Sequence, residues 1–87
     1  MSTKTIYTRE YRILLRILRS KRQQKRISQE DLAKKLGVPQ SFISKIESGE
    51  RRIDVIDLFR YCEVLNIELV QFIKELIKEI KIGKKEE

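Results

Sequence analysis

The most constraining feature of this chain is a pair of short helical patterns that almost touch, in the segment SQEDLAKKLGVPQSFISKIESG at residues 28–49. Ser28 can cap the first pattern, and Gly37 supplies the left-handed residue that ends it. The second pattern begins at Pro39 and ends at Gly49. Two helices joined by a three- or four-residue turn describe a helix-turn-helix unit, whose second helix can enter the major groove of DNA.

The second helix of this pair separates apolar from polar residues. Phe42, Ile43 and Ile46 fall on one side and should face the core. The opposite side carries Gln40, Ser41, Ser44, Lys45 and Ser48. Gln can pair with adenine, Lys reaches the acceptors of guanine, and serines let a helix sit deep in the groove. A merely solvated helix face would more often carry long Glu and Lys residues, so the pattern favours base contact.

Three more helices are predicted around this pair. Thr8 can cap a first helix that runs to about Lys25, and Asp54, with Asp57 three residues later, can cap a fourth. A fifth occupies 67–82. The predicted core face of the first helix is Tyr11, Leu14, Leu15 and Leu18. That of the fourth is Val55, Leu58, Phe59, Cys62 and Leu65. The sequence therefore predicts an all-α, five-helix single domain over 1–87.

One charged residue falls where the first helix should be apolar. At 100° per residue, Arg22 lies in the middle of the leucine face, where an unpaired guanidinium is costly. Glu47, at the apolar margin of the third helix, is the best candidate for its partner. Ile13 and Ile17 form a separate apolar flank that another element should cover.

A basic stripe also follows the first helix. It consists of Arg9, Arg12, Arg16 and Arg19. The stripe is equally compatible with a solvated face and with a face turned toward a nucleic-acid backbone.

The composition limits the function. Lys and Arg total 20 against 13 acidic residues, and the net charge of +7 favours a polyanionic partner. The chain has no His and one Cys. It shows no metal-ligand cluster, phosphate loop, effector-pocket motif or nucleophile–base pair, so we expect neither an enzyme nor a cofactor. Without a signal peptide or a transmembrane run, we expect a cytoplasmic protein.

The segment SQEDLAKKLGVPQSFISKIESGERRIDVIDLFRYCEVLNIEL resembles the phage-repressor-like, xenobiotic-response-element (Xre) class of helix-turn-helix regulators. The likeness covers Leu14 to Leu69 and rests on SQEDLA, Gly37, ISKIESG and LFRYCEVLNI at the family's spacing. The five-helix layout is also similar to the small controller proteins of restriction–modification systems. The resemblance implies a transcriptional regulator, such as a repressor, that binds double-stranded DNA at a palindromic operator as a homodimer.

The resemblance also assigns roles to individual residues. The implied base contacts come from Gln40, Ser41 and Lys45, with Ser44 at the edge. The implied phosphate contacts come from Gln29, at the open start of the second helix, and from Arg51 and Arg52 in the following loop. Arg22 and Glu47 match a buried ion pair of the family, in agreement with the helical-wheel argument.

The chain departs from the family at two positions. Arg26 stands where the family often has a glycine, which predicts some strain in the turn between the first two helices. Pro39 replaces the usual hydroxyl cap of the third helix; it sets φ favourably but cannot cap, so the tilt of Gln40 is left open.

The fifth helix has more apolar residues than a single contact with its own domain is expected to cover. We expect Leu69, Phe72 and Ile73 to pack on their own domain, and Leu76, Ile77 and Ile80 to meet a second chain across a two-fold axis. The alternative is a fifth helix that folds wholly onto the first helix and leaves a monomer.

Two other function classes compete with the regulator. One is an antitoxin or protein-interaction module with secondary DNA binding, which is disfavoured because no extra segment is evident for the partner. The other is membrane-surface binding. It is disfavoured because Lys74, Glu75, Lys78 and Glu79 alternate in sign.

Overall fold

The computed structural model describes residues 8–86, with side chains through Gly83. The described chain forms five α-helices and no strand. They are α1 (Arg9–Gln24), α2 (Gln29–Leu36), α3 (Gln40–Ser48), α4 (Val55–Val64) and α5 (Leu69–Glu86). Helix α1 packs on α3 and α5, while α4 packs on α2 and α5, so α1 and α4 support the α2–α3 pair. No described helix is long and apolar enough to cross a membrane.

The helix boundaries follow the local capping residues. The side chains of Thr8, Ser28 and Asp54 each accept a hydrogen bond from the backbone N–H three residues later, at 3.2, 3.0 and 2.7 Å. These bonds satisfy N–H groups that have no partner inside the helix. The predicted starts of α1, α2 and α4 are therefore confirmed.

The turns around α2 and α3 depend on backbone conformations with positive φ. Gly37 and Gly49 end the two helices at φ 72° and 87°, where a side chain would be strained. Arg26 also has a positive φ of 59°. This conformation costs more for Arg than for glycine, so the turn between α1 and α2 is strained as predicted.

One buried cluster joins all five helices. Its fully buried members include Leu18, Leu32, Ile43, Leu65 and Phe72. Ile17 is 3% exposed, and Ile13 packs against the cluster from the side. Helix α5 packs on α1, and its Phe72 and Ile73 belong to this same cluster. The prediction that another element covers the isoleucine flank is confirmed.

The predicted core face of α4 is wrong at two positions. Val55 is 63% exposed and Phe59 is 46% exposed, whereas Tyr61 is completely buried. Leu58, Tyr61 and Cys62 fit the i, i+3, i+4 spacing of a narrower face. Phe59 lies 100° around the helix from Leu58, outside this face, and Val55 lies in the first turn, at the edge of the domain.

Helix α5 is longer than predicted. It begins at Leu69 and continues to Glu86, four residues beyond the predicted end at Ile82. Leu69, Phe72 and Ile73 pack on their own domain as predicted.

Candidate nucleic-acid interface

Helix α3 presents a polar face on the outside of the domain. Gln40, Ser41 and Lys45 are exposed and Ser44 is half-buried, while Ile43 and Ile46 on the opposite side are completely buried. The polar face and the buried face are therefore separated as the sequence predicts.

Two serines of the polar face donate hydrogen bonds to carbonyls of their own helix. Ser44 Oγ donates to the Ser41 carbonyl at 3.3 Å, and Ser48 Oγ donates to the Lys45 carbonyl at 3.2 Å. The hydroxyls keep lone pairs with which to accept hydrogen bonds from a ligand, and the side chains stay close to the helix surface. The longer side chains that can reach out from this face are Gln40 and Lys45.

The first turn of α3 has no side-chain cap. Pro39 takes the cap position with φ −66° and ψ 153°. Its side chain cannot accept a hydrogen bond from the N–H groups of the first helical turn. The Phe42 N–H bonds to the Pro39 carbonyl at 3.0 Å. Gln40 therefore lies at an open helix N-terminus, which favours contact with an anionic ligand.

A buried ion pair holds the other end of α3. Arg22 binds both carboxylate oxygens of Glu47, through Nε at 2.7 Å and Nη2 at 2.9 Å. Arg22 is 8% exposed and Glu47 is 3% exposed. The hydrogen bond to Glu47 is the main cause that raises the pKa of Arg22 above its ordinary value, although burial acts in the opposite direction.

The same guanidinium reaches the turn between α1 and α2. Arg22 Nη1 donates to the Ile27 carbonyl at 2.8 Å. One side chain thus joins α1, the turn before α2 and the end of α3. This arrangement fixes the position of α3 relative to the start of α2.

Gln29 lies beside this ion pair rather than fully in solvent. Its Nε2 donates to Glu47 Oε1 at 3.0 Å, and the side chain is partly buried. The sequence reading placed Gln29 at a phosphate but missed its bond to Glu47, because nothing in the local pattern shows how close two helices will pack.

Arg19 is a second residue whose role the sequence pattern did not identify. Its Nη2 donates to the Glu47 main-chain carbonyl at 3.2 Å, and its Nε lies 3.8 Å from Glu47 Oε1. Two others from the basic stripe contact α5: Arg9 donates to the Ile80 carbonyl and Arg16 pairs with Glu79. The stripe therefore contributes to contacts between helices.

The loop after α3 carries the two arginines predicted to contact phosphate. Both are exposed, and the Arg51 guanidinium lies 4.4 Å from the centre of the Phe42 ring. The Arg51 N–H bonds to the Lys45 carbonyl at 3.0 Å. These contacts hold Arg51 next to α3, and Arg52 follows it directly along the chain.

The residues predicted for the dimer interface differ in exposure. Ile77 is 46% exposed and Ile80 is half-buried, whereas Leu76 packs against the core of its own domain. Val70, at 62% exposure, lies on the same side of α5 as Ile77 because the two are seven residues apart. This apolar flank of α5 is defined here by Val70, Ile77 and Ile80.

Two further observations concern metal-ligating side chains and the cysteine thiol. Among the side chains described, through Gly83, no three His, Cys, Asp or Glu residues are grouped so that they could hold a metal ion. Cys62 is buried, and burial raises the pKa of its thiol to about 11. A thiol of this kind is almost entirely protonated at neutral pH and is a poor nucleophile.

Comparisons with known proteins agree with this geometry. A family model described as Helix-turn-helix matches residues 18–72. A solved structure described as an XRE-family like protein from Pseudomonas syringae pv. tomato str. DC3000 is 38% identical to this chain. The match covers 90% of this chain and 95% of that one, with a TM-score of 0.81. No protein with a curated description matches the chain.

Proposed function

Because this chain belongs to the Xre-like helix-turn-helix family and is a DNA-binding transcription regulator, we propose that it binds a palindromic operator as a homodimer. The observation that carries the proposal is the position of α3. Gln40, Ser41 and Lys45 on its polar face are exposed, and Ile43 and Ile46 on its apolar face are fully buried. Its C-terminal end is held by the Arg22–Glu47 ion pair. Helix α3 is the recognition helix of this proposal.

The base contacts are assigned to the exposed face of the recognition helix. Gln40 and Lys45 can each reach a base edge, the amide by donating to and accepting from adenine and the ammonium by donating to guanine. Ser41 lies beside Gln40 at the open N-terminus, and Ser44 contributes at the edge of the face. These side chains supply sequence preference.

The phosphate contacts are assigned to the two ends of the helix-turn-helix unit. Gln29 lies at the start of α2, where backbone N–H groups favour an anion, and Arg51 and Arg52 lie in the loop after α3. Phosphate contacts position the protein but carry no sequence information. The net charge of +7 adds a general attraction to DNA.

The homodimer is assigned to the apolar flank of α5. Ile77 and Val70 are exposed, Ile80 is half-buried, and Leu76 contributes only the part of its side chain that its own core leaves uncovered. A two-fold axis at this flank would pair it with the same surface of a second chain. Dimerisation doubles the number of bases read, which a single recognition helix needs in order to be selective.

The DNA contacts are tested by selecting bound sequences from a random DNA pool and then measuring variants on the selected site. Lys45→Ala and Gln40→Ala should each relax base preference at one or two positions, by about 1–3 kcal/mol per lost bidentate contact. Arg51→Ala and Arg52→Ala should weaken binding to all sequences alike and flatten its salt dependence. If all four variants lose specific and non-specific binding in the same proportion, the assignment is wrong.

The dimer is tested by Ile77→Asp, with Gln71→Asp on an exposed part of α5 as the matched control. Sedimentation should show a folded monomer for Ile77→Asp and a dimer for the control. The operator should be a palindrome whose half-sites lie about 34 Å, one helical turn, apart. A wild-type chain that remains monomeric at high micromolar concentration would contradict the homodimer.

A further inference from the structure

We propose that the cavity between α2, α3 and α4 binds a zwitterionic apolar amino acid, and that this ligand competes with DNA for Arg51. The binding site is argued from the contacts around the cavity, and only the competition rests on the DNA-binding function proposed above. The lining comes from the end of α2, the start of α3, the loop after α3 and the first two turns of α4. No single stretch of sequence predicts this site, because helix packing brings these segments together.

The buried part of the lining is apolar. Leu36 and Tyr61 are 8% and 0% exposed, and the half-buried Val38 and Phe42 line the same cavity. The cavity has a volume of about 300 Å³, which lies at the lower end of the range for small-molecule sites. A space of this size and lining suits one aliphatic or aromatic side chain.

Four charged side chains complete the lining. They are two cations and two anions: Arg51, Arg60, Asp54 and Asp57. None of the four forms an ion pair with another side chain among the described residues. Both signs of charge are therefore available to a ligand in one small cavity.

Local contacts hold these charges in place. Arg60 Nη2 donates to the last main-chain carbonyl of α2 at 3.0 Å, and the Arg51 guanidinium lies 4.4 Å from the centre of the Phe42 ring. Asp54 Oδ1 accepts from the Asp57 N–H at 2.7 Å as the cap of α4. Each charged group is positioned by its own neighbours, which limits the ordering that ligand binding requires.

The arrangement of charge and apolar surface selects the class of ligand. A carboxylate can accept two parallel hydrogen bonds from a guanidinium, so Arg51 and Arg60 are its partners. An ammonium group pairs with Asp57, which is half-buried. A ligand with a single charge would leave one sign of the lining without a partner, whereas a zwitterion meets both. With an apolar side chain for the buried lining, the ligand is an amino acid such as leucine, isoleucine or phenylalanine.

Arg51 connects this cavity to DNA binding. It is assigned above to a backbone phosphate, and phosphate and carboxylate oxygens both accept hydrogen bonds from its N–H groups. A ligand carboxylate therefore withdraws Arg51 from the DNA backbone. Gln40 and Lys45 do not line the cavity. The bound amino acid should lower affinity for DNA while the base-reading residues stay free.

The first experiment measures ligand binding without DNA. Amide signals of the ¹⁵N-labelled protein are followed by NMR as L-leucine, L-isoleucine or L-phenylalanine is added to about 10 mM. At least one of the three should shift the signals of the cavity lining and reach saturation. Its N-acetyl and carboxamide derivatives, which each lack one charge, should bind at least about tenfold more weakly. No saturable shift with any of the three, or equal binding of a derivative, would overturn the site.

A matched pair of substitutions in α4 tests the same site from the side of the protein. Asp57→Asn removes a charge but keeps the shape of the side chain and the backbone cap. Glu63→Gln is the control, because Glu63 is exposed on the same helix and does not line the cavity. Affinity for the amino acid should fall about tenfold for Asp57→Asn and stay constant for Glu63→Gln. Equal affinities for Asp57→Asn and the wild type would overturn the site. If Asp57→Asn unfolds, the two derivatives decide the question with the wild-type protein.

The second experiment tests the competition with DNA. Affinity for the operator selected from a random pool is measured with and without a saturating concentration of the amino acid that binds. It should fall roughly tenfold for the wild type and stay constant for Arg51→Ala, whose phosphate contact is already lost. An unchanged wild-type affinity, or an equal loss in Arg51→Ala, would overturn the competition alone. A selection that enriches no sequence would overturn the proposed function, and the NMR titration would still decide the binding site.

Discussion

The ion pairs that join α1 to α3 differ in burial from those that join α1 to α5. Toward α3, Arg22 and Glu47 form a pair at 2.7 Å, with side chains that are 10% and 1% exposed. Toward α5, Lys21 and Glu75 are almost as close, at 2.9 Å, but their side chains are 26% and 42% exposed. The side chains of Arg16 and Glu79, at 3.3 Å, are 61% and 36% exposed. Ion pairs of similar length therefore differ greatly in how far they are buried.

Burial determines how much each of these ion pairs contributes to stability. Water screens the α5 pairs, so each contributes little to the free energy of unfolding. The buried pair has lost its hydration, so each partner depends on the other. The exposed pairs between α1 and α5 can rearrange at low cost, whereas the buried pair between α1 and α3 defines one position for the recognition helix.

The largest expected effect comes from removing one partner of the buried pair. Arg22→Ala should lower the free energy of unfolding by about 3–5 kcal/mol, because Glu47 would remain charged in the core. Arg16→Ala is the matched control on the α5 side, with an expected loss below about 1 kcal/mol. Urea unfolding measures both.

A double substitution separates charge from packing at the same place. Arg22→Met combined with Glu47→Leu should recover much of the stability that Arg22→Ala loses, since no charge is then left unpaired. Equal losses of stability for Arg22→Ala and Arg16→Ala would contradict the difference between the buried α1–α3 pair and the exposed α1–α5 pairs.

The next effect is a loss of stability at alkaline pH, caused by the buried thiol of Cys62. The pKa of Cys62 is raised from 9.0 to about 11 in the folded protein, mainly by burial. Between these values the unfolded chain loses the thiol proton while the folded chain keeps it, so stability falls as pH rises from 9 to 11. The loss should be on the order of 2 kcal/mol. Urea unfolding at several pH values should show a shallower decline for Cys62→Ala over this range.

A smaller effect distinguishes two tyrosines. The Tyr61 hydroxyl is buried without a hydrogen-bond partner, whereas Tyr11 Oη accepts from the Ile53 N–H at 3.0 Å. Tyr61→Phe should therefore raise the free energy of unfolding by about 1 kcal/mol, and Tyr11→Phe should lower it by about the same amount. Thermal unfolding of both variants checks the signs. A loss of stability in Tyr61→Phe would mean that its hydroxyl has a partner in solution.

The smallest effect on stability is expected at the exposed ion pairs between α1 and α5. Glu79→Gln removes the charge opposite Arg16 and should cost no more than about 0.5 kcal/mol, and less at 1 M salt. Unfolding at low and high salt measures this difference. A salt-independent loss of several kcal/mol would show that the Arg16–Glu79 pair behaves like the buried pair.

Local sequence predicted most of the helix boundaries and the exposed polar face of α3. Ser28 and Gly37 each act through their own backbone neighbours, so their effects could be read without knowing the fold. The pairing of Arg22 with Glu47 was also predictable, because a cation on an apolar face requires a carboxylate. The core face of α4 was not. Phe59 and Tyr61 are both aromatic, and only the neighbouring helices determine which of them is buried.

The five-helix class, the caps and the division of α3 into a buried and a polar face follow from local sequence, because each depends on residues within one or two helical turns. The packing of the helices brings both Gln29 and Arg19 to Glu47. It also buries part of Leu76 in its own domain while Ile77 is exposed. These contacts depend on how far apart and at what angle the helices pack, and helical periodicity within a single helix does not specify those distances and angles.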